Sequence, residues 1–305
     1  MARRKKNRLL QHAEYALYRL IVAAVRQASD DTVLRWGSRF GMLAGKILRG
    51  RDRLAMRNLR DTFPEKSEGE RREILDKCWR HFGREMLRYV RLQAIPPSEV
   101  LERCPLVNSH LLEEGLEAGH GVMLISAHFG GWEVGGLAVM ALSHNVVTVA
   151  RPLDNEFLER DLQQIRARTG AKVIDRKAAA RPLMKALADN AIVVLLPDQA
   201  VLPREGVLVP FLGRAAWTTP APARMAVRQD SRIVFAFCIP DGTRHRLEFD
   251  EPIRVDQLTE GERDPVALTK RINDVISARI AARPELWLWM HDRWKGTGES
   301  GAPDA

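Results

Sequence analysis

Apolar positions fall into two textures along this chain, and the change comes near residue 100. In the first third they recur at helical spacing. Leu9, Leu10, Ala13, Ala16, Leu17, Leu20, Ile21, Ala24, Val25 and Ala28 follow the i, i+3, i+4, i+7 pattern of an amphipathic helix, with Glu14, Arg19, Arg26 and Gln27 largely opposite. A second helix is predicted from Thr32 to about Leu48, with Gly37, Gly41 and Gly45 on one face. An internal glycine costs roughly 1 kcal/mol relative to alanine, so the stripe implies close backbone approach. Helices packed in or against membranes show such stripes, and so do tightly packed soluble cores. Residues 51–91 read as polar helical segments joined by a loop at Phe63-Pro64-Glu65, and Pro96-Pro97 marks a boundary.

From about Val107 the pattern alternates between strands and helices. Gly121 to Ala127 is a continuous apolar run, as expected of a strand buried on both faces. Further strands are predicted at Val146–Ala150, Lys172–Ile174, Ala191–Leu196, Arg232–Ile239 and His245–Phe249. Helices are predicted at Asn155–Thr169, capped by Asn155 and stopped at Gly170, and at Arg181–Ala188, Ala221–Gln229 and Pro265–Arg283. Strands alternating with helices define an α/β fold with a mostly parallel sheet flanked by helices. In such sheets chemistry sits beyond the C-terminal ends of the strands. The expected organisation is membrane-associating helices over 1–48, a helical region over 49–100 packed on the core, an α/β core over 101–295, and a flexible tail over 296–305.

Charge sharpens this picture. Residues 1–91 hold 23 Lys/Arg and 11 Asp/Glu, a balance of +12, whereas the rest of the chain is at −3. The basic start Arg3-Arg4-Lys5-Lys6 followed by an amphipathic helix with Tyr15 and Tyr18 fits an interfacial helix as well as a core-facing one. The apolar stretch is broken by Glu14, Arg19 and Arg26, which argues against a signal peptide or a spanning helix. Cys78, Cys104 and Cys238 are too few and too scattered for a disulfide framework or a Cys-based zinc site, and no metal is expected.

The candidate chemistry lies at the end of the first buried strand, in Ile125-Ser126-Ala127-His128-Phe129-Gly130-Gly131-Trp132-Glu133. A histidine at a strand tip takes a proton near neutral pH. Two glycines permit a bend that would return the Glu133 carboxylate to the imidazole. There it would hold one tautomer and stabilise the imidazolium, as the acid does in a hydrolase triad. Backbone N–H groups at Gly130 and Gly131 are candidates for binding an oxyanion or phosphate. No nucleophile elbow, Walker A loop or dinucleotide fingerprint is present, so the histidine would act directly on a substrate hydroxyl. Arg151, at the tip of the next strand, is a candidate phosphate clamp. Asp198 directly follows another buried strand, where it would orient a site residue or cap a turn. Trp287, Trp289 and Trp294 would sit at a bilayer interface or, the preferred reading, pack in the core as part of a C-terminal element.

These segments together resemble the lipid A late acyltransferases, the lauroyl/myristoyl transferases within the wider H-x-x-x-x-D/E lysophospholipid acyltransferase group. The resemblance runs from about Arg57-Asn58-Leu59 to Lys295, through Phe63-Pro64-Glu65, the His128–Glu133 segment, Val149–Pro152, Leu196–Gln199, Val209–Gly213 with Thr218–Pro220, and Pro284–Lys295. It implies a glycerolipid acyltransferase-like core, a catalytic His128–Glu133 pair, and substrate-binding roles for Arg151, Asp198 and Gln199. It also implies an acyl carrier protein thioester as co-substrate with no further cofactor, an anionic lipid acceptor, and the cytosolic face of the inner membrane. Many relatives begin with a more hydrophobic anchor, so peripheral or monotopic attachment is expected here. A glycerophospholipid or phosphatidylinositol mannoside acceptor would suit the same chemistry. A basic nucleic-acid-binding protein would account for the charge, but no helix-turn-helix or RNA-binding signature is present, and no nucleic-acid partner is expected.

Overall fold

The computed structural model describes residues 7–93, 95–142, 144–150, 152–169, 172–175 and 179–298. Arg3 to Lys6, Arg151, Gly170 and residues 299–305 lie outside the described residues. The helical first third consists of α1 (Arg8–Gln27), α2 (Asp30–Ile47), α3 (Arg49–Thr62), α4 (Glu68–Leu92) and α5 (Pro97–Arg103). Ser67 and Glu70 form a reciprocal capping box that starts α4, and Pro97 opens α5 rather than ending the helical region.

The glycine stripe of α2 faces α4 of the same chain. A methyl group on Gly41 would overlap the Trp79 carbonyl oxygen, and one on Gly83 would overlap the Gly37 carbonyl oxygen. The stripe therefore serves helix–helix packing inside the protein. The opposite face of α2 turns outward, with Trp36, Phe40, Leu43 and Ile47 between 41% and 68% exposed, and Leu9, Leu17 and Leu20 of α1 are exposed as well. No described helix is long and apolar enough to cross a membrane.

The remainder is β1 (Leu106–Val107), α6 (His110–Glu117), β2 (Val122–Ile125), α7 (Trp132–Met140), β3 (Val146–Ala150), α8 (Glu156–Thr169), β4 (Lys172–Asp175), α9 (Ala180–Ala188) and β5 (Ile192–Leu195). There follow β6 (Val207–Phe211), β7 (Arg214–Thr218), α10 (Ala221–Gln229), β8 (Arg232–Asp241), β9 (Arg244–Ile253) and α11 (Pro265–Ala282). Seven strands form one sheet in the order β1-β9-β8-β2-β5-β3-β4, parallel throughout except for the β8–β9 pair. Alternate residues along each central strand feed opposite layers. Met123, Ile125, Val193 and Phe235 pack toward α3, α4, α9, α10 and α11, while Leu124, Ile192, Val234 and Ala236 pack toward α5, α6 and α7. Burial on both faces is what makes these strands continuous apolar runs in the sequence.

The β6–β7 hairpin was not legible in the sequence. Its turn places Leu212 at φ 51° and Gly213 at φ 77°, the two left-handed positions of a type I′ connection. Leucine replaces the asparagine or aspartate that usually signals such a turn. The Leu212 amide donates to Ser277 Oγ at 2.9 Å, an anchor on α11 that helps hold the conformation.

Candidate active site

β2 and β5 are neighbouring parallel strands, with Ile125 paired to Leu195. His128 and Asp198 each stand three residues beyond that pair, so the parallel register delivers them side by side. The His128 ring meets Asp198 Oδ1 through Nδ1 at 2.9 Å. The second oxygen, Oδ2, accepts from the His128 backbone amide at 2.9 Å and from the Trp287 indole N–H at 2.9 Å. Asp198 is fully buried, whereas the His128 side chain keeps 22% of its surface. Burial pushes the Asp198 carboxyl up, but the His128 charge and these three donors outweigh it, and its pKa lies below the ordinary carboxylate value. Burial likewise pushes His128 down, and Asp198 more than reverses this, with a further upward contribution from Glu133.

With a proton on Nδ1 shared toward Asp198, the other ring nitrogen is an acceptor. The Gln199 amide nitrogen lies 3.2 Å from His128 Nε2 and donates to it. His128, Asp198 and Gln199 are therefore one assembly. The orienting position expected for Glu133 is occupied by Asp198. Glu133 stands on the first turn of α7, is exposed, and accepts from the Trp132 indole N–H at 3.2 Å. It lines the same cavity as His128 and acts on the ring through its charge.

The two glycines make the turn between them. Gly130 takes φ 60°, and a methyl group on it would overlap the Cys238 carbonyl oxygen. Their amides are already committed, Gly130 N to Leu286 O at 2.9 Å and Gly131 N to Cys238 O at 2.8 Å. The oxyanion- or phosphate-binding role expected of Gly130 and Gly131 is thus closed to those N–H groups. Arg151 lies outside the described residues.

The C-terminal tryptophans belong to the interior. Trp287, Trp289 and Trp294 are at most 1% exposed. Besides the Trp287 contact to Asp198, the Leu288 amide donates to the His128 carbonyl, and His291 Nε2 accepts from the Ala200 amide at 3.0 Å. This segment is the clamp that holds both strand-tip loops. Periodicity gave no sign that an indole from the last turn of the chain would support the site. The available signals were the density of tryptophans after Pro284 and the place of Pro284–Lys295 among the segments that carry the resemblance.

Beneath the turn sits a buried charged cluster that sequence reading also missed. His81 Nε2 donates to the Gly130 carbonyl at 3.1 Å, and burial holds its pKa below the ordinary histidine value. Glu85 accepts from His245 Nε2 at 2.6 Å and from Arg88 Nη1 at 2.9 Å. A methyl group on Gly131 would stand 2.7 Å from Glu85 Oε2. Burial raises the Glu85 carboxyl, but the His245 hydrogen bond and its cationic neighbours prevail, lowering it from 4.5 to about 2. A depressed carboxyl pKa contributes stability that is full above the unfolded value and is lost as pH falls through the folded value. Glu85→Ala leaves Arg88 and His245 buried without their carboxylate, a loss of about 3–5 kcal/mol at neutral pH. Thermal unfolding should show a large gap between the two proteins at pH 7 that closes progressively below pH 4.5. A gap that is constant with pH would mean the effect is packing alone.

His128, Trp132, Glu133 and Gln199 open onto a cavity of about 930 Å³. Along α7 and the sheet its wall is apolar, with Leu124, Leu137, Met140, Val146 and Val194. Toward α10 it is polar, with Glu205, Arg224 and Arg228. Two consecutive glycines on α7 have different surroundings. A methyl group on Gly135 would press on Cys238 Cβ at 2.9 Å, while one on Gly136 would meet nothing within 4 Å. Close packing therefore accounts for the first glycine and not for the second.

A mostly parallel sheet with a histidine–carboxylate assembly at its strand tips, facing a cavity with one apolar wall, is the arrangement of an α/β enzyme site. The chain belongs to the bacterial lipid A biosynthesis acyltransferases, whose family model matches residues 2–296. It is similar to the lipid A biosynthesis lauroyltransferase of Escherichia coli K12, 26% identical over 96% of each chain. It is also similar to the lipid A biosynthesis myristoyltransferase of the same organism, 26% identical over 83% of this chain and 78% of that one. The phosphatidylinositol mannoside acyltransferase of Mycolicibacterium smegmatis is 26% identical over 67% of this chain and 66% of its own length.

Proposed function

We propose that this protein moves a fatty acyl group from an acyl carrier protein thioester to a hydroxyl of a lipid A precursor, at the cytosolic face of the inner membrane. The observation that carries this reading is the His128 ring, which lines the cavity with Nδ1 held by Asp198, leaving Nε2 to serve as the base. The acceptor hydroxyl displaces the Gln199 amide and gives its proton to Nε2 as its oxygen attacks the thioester carbonyl. The imidazolium that forms is stabilised by Asp198 and by the charge of Glu133. As the C–S bond breaks and the ester C–O bond stands, the imidazolium returns the proton to the leaving thiolate. No acyl-enzyme intervenes, and no further cofactor is required. An anionic acceptor is supported by Arg224 and Arg228, which line the cavity and carry no ion pair among the described residues.

The test is reconstitution with lauroyl and myristoyl carrier-protein thioesters, the matching coenzyme A thioesters, and two acceptors in parallel. These are an under-acylated lipid A precursor and a phosphatidylinositol mannoside, the acceptor class named for one group of relatives. Product mass on the lipid A precursor, formed faster from the carrier-protein donor, is the expected result. Product on the mannoside alone would replace the acceptor, and no product from either would overturn the reading.

Membrane attachment through residues 1–48 is supported by the outward apolar face of α1 and α2, next to Arg39, Lys46 and Arg49, none of which forms an ion pair among the described residues. Each such cation contributes roughly 1 kcal/mol near an anionic surface. Phe40→Glu combined with Leu43→Glu, at half-exposed positions, should leave folding intact and lower partitioning onto phosphatidylglycerol-containing vesicles at least about tenfold. Undiminished flotation of the double variant would place the attachment on another face.

A further inference from the structure

We infer that Gly136 sets the length of acyl chain the enzyme accepts from its donor, an inference that rests on the acyl-transfer reading above. Trp132, Gly136 and Met140 follow one another at four-residue spacing on one face of α7, and all three line the cavity. This line begins at the catalytic histidine, whose ring centroid lies 5.4 Å from that of Trp132. With a rise of 1.5 Å per residue, Gly136 is about 6 Å further along the helix axis. Leu124, Val146 and Val194 on the sheet and Ile165 on α8 offer a hydrocarbon chain apolar surface, and the Thr148 hydroxyl among them is committed to the Val194 carbonyl. A thioester with its carbonyl at His128 and its chain laid along this wall passes Gly136 before it reaches Met140.

Glycine is disfavoured inside a helix, and here neither backbone conformation nor packing requires it. Its φ is not in the left-handed region, and a methyl group would touch nothing. What the missing side chain leaves is cavity. A methyl group at this position meets nothing within 4 Å, and a longer side chain is expected to project into that space and shorten or narrow it.

The experiment compares wild type, Gly136→Ala and Gly136→Leu with a mixture of octanoyl, lauroyl, myristoyl and palmitoyl carrier-protein thioesters and a fixed acceptor. Product masses give relative kcat/KM for each chain. Gly136→Leu should lower the ratio of myristoyl to octanoyl transfer at least about tenfold, since a branched side chain fills the passage a methylene chain would occupy. Gly136→Ala should lower it about two- to threefold while raising the unfolding temperature, because alanine is the better helix former. That opposite movement of stability and long-chain turnover excludes misfolding as the cause. If wild type transfers and the ratio is unchanged in both variants, or only the KM for the acceptor moves, the assignment of Gly136 is wrong and the acyl-transfer reading stands. If wild type transfers no chain from any donor, that reading fails and this one falls with it.

Discussion

Replacing His128 by alanine should lower kcat by at least about 10² to 10⁴, the usual contribution of a positioned general base. The loss should fall on kcat with little change in the KM for the thioester, because the cavity wall that holds the chain is untouched. Folding survives, since the side chain is partly exposed and Asp198 retains two donors, the residue 128 amide and the Trp287 indole. Steady-state turnover with a carrier-protein donor, paired with a melting curve, is the measurement. A well-folded variant with near-normal turnover would remove the histidine from the mechanism. In the wild type, kcat/KM should fall on the acid side with an apparent pKa above the ordinary histidine value of 6.5, because Asp198 and Glu133 favour the charged ring. The base is active only when neutral, so the rate is retained above that pKa and lost below it.

Asp198→Asn should be nearly as damaging, by a mechanism that the hydrogen bonds dictate. In the wild type Oδ2 accepts from two N–H groups and Oδ1 accepts from the ring. Asparagine has one acceptor oxygen, and the two-donor side claims it. Its NH₂ group then faces Nδ1, which must become the acceptor, so the ring proton moves to Nε2. A ring protonated at Nε2 cannot take the acceptor's proton. The same inversion in the serine protease triad drops kcat by about 10⁴, and a loss of roughly 10³ to 10⁴ is expected here. Because the carboxylate charge is also gone, burial dominates and the acid limb should move to lower pH. Glu133→Gln removes only a charge acting from the cavity wall, so it should shift the same limb downward with a smaller loss of kcat. The two variants therefore rank the carboxylates. Equal losses, or a larger loss at Glu133, would mean that Glu133 touches the reacting atoms.

Helix and strand positions in the core were legible because burial on one or both faces imposes period and run length. Val146–Ala150 and Ala221–Gln229 appear with the boundaries expected. The β6–β7 hairpin was hidden by a leucine in a left-handed turn position, held there by tertiary contacts. The α2 glycines signalled close approach, but nothing local said that the partner was α4.

His128 and Glu133 are joined by a short covalent path with two glycines, so their proximity could be argued from the chain alone, and both do line one cavity. Asp198, seventy residues away, could be read as orienting some site residue or capping a turn, but nothing in the chain tied it to His128. The sequence by itself determined that a histidine follows the first buried core strand, that an apolar α/β core supports it, and that the family is one of acyltransferases. Only the tertiary structure decided which carboxylate holds the ring. That choice depends on β5 inserting between β2 and β3 in parallel register, and on the Trp287 indole completing the Asp198 shell. Strand order and long-range hydrogen bonds arise from how whole layers pack, so no local pattern of residues encodes them.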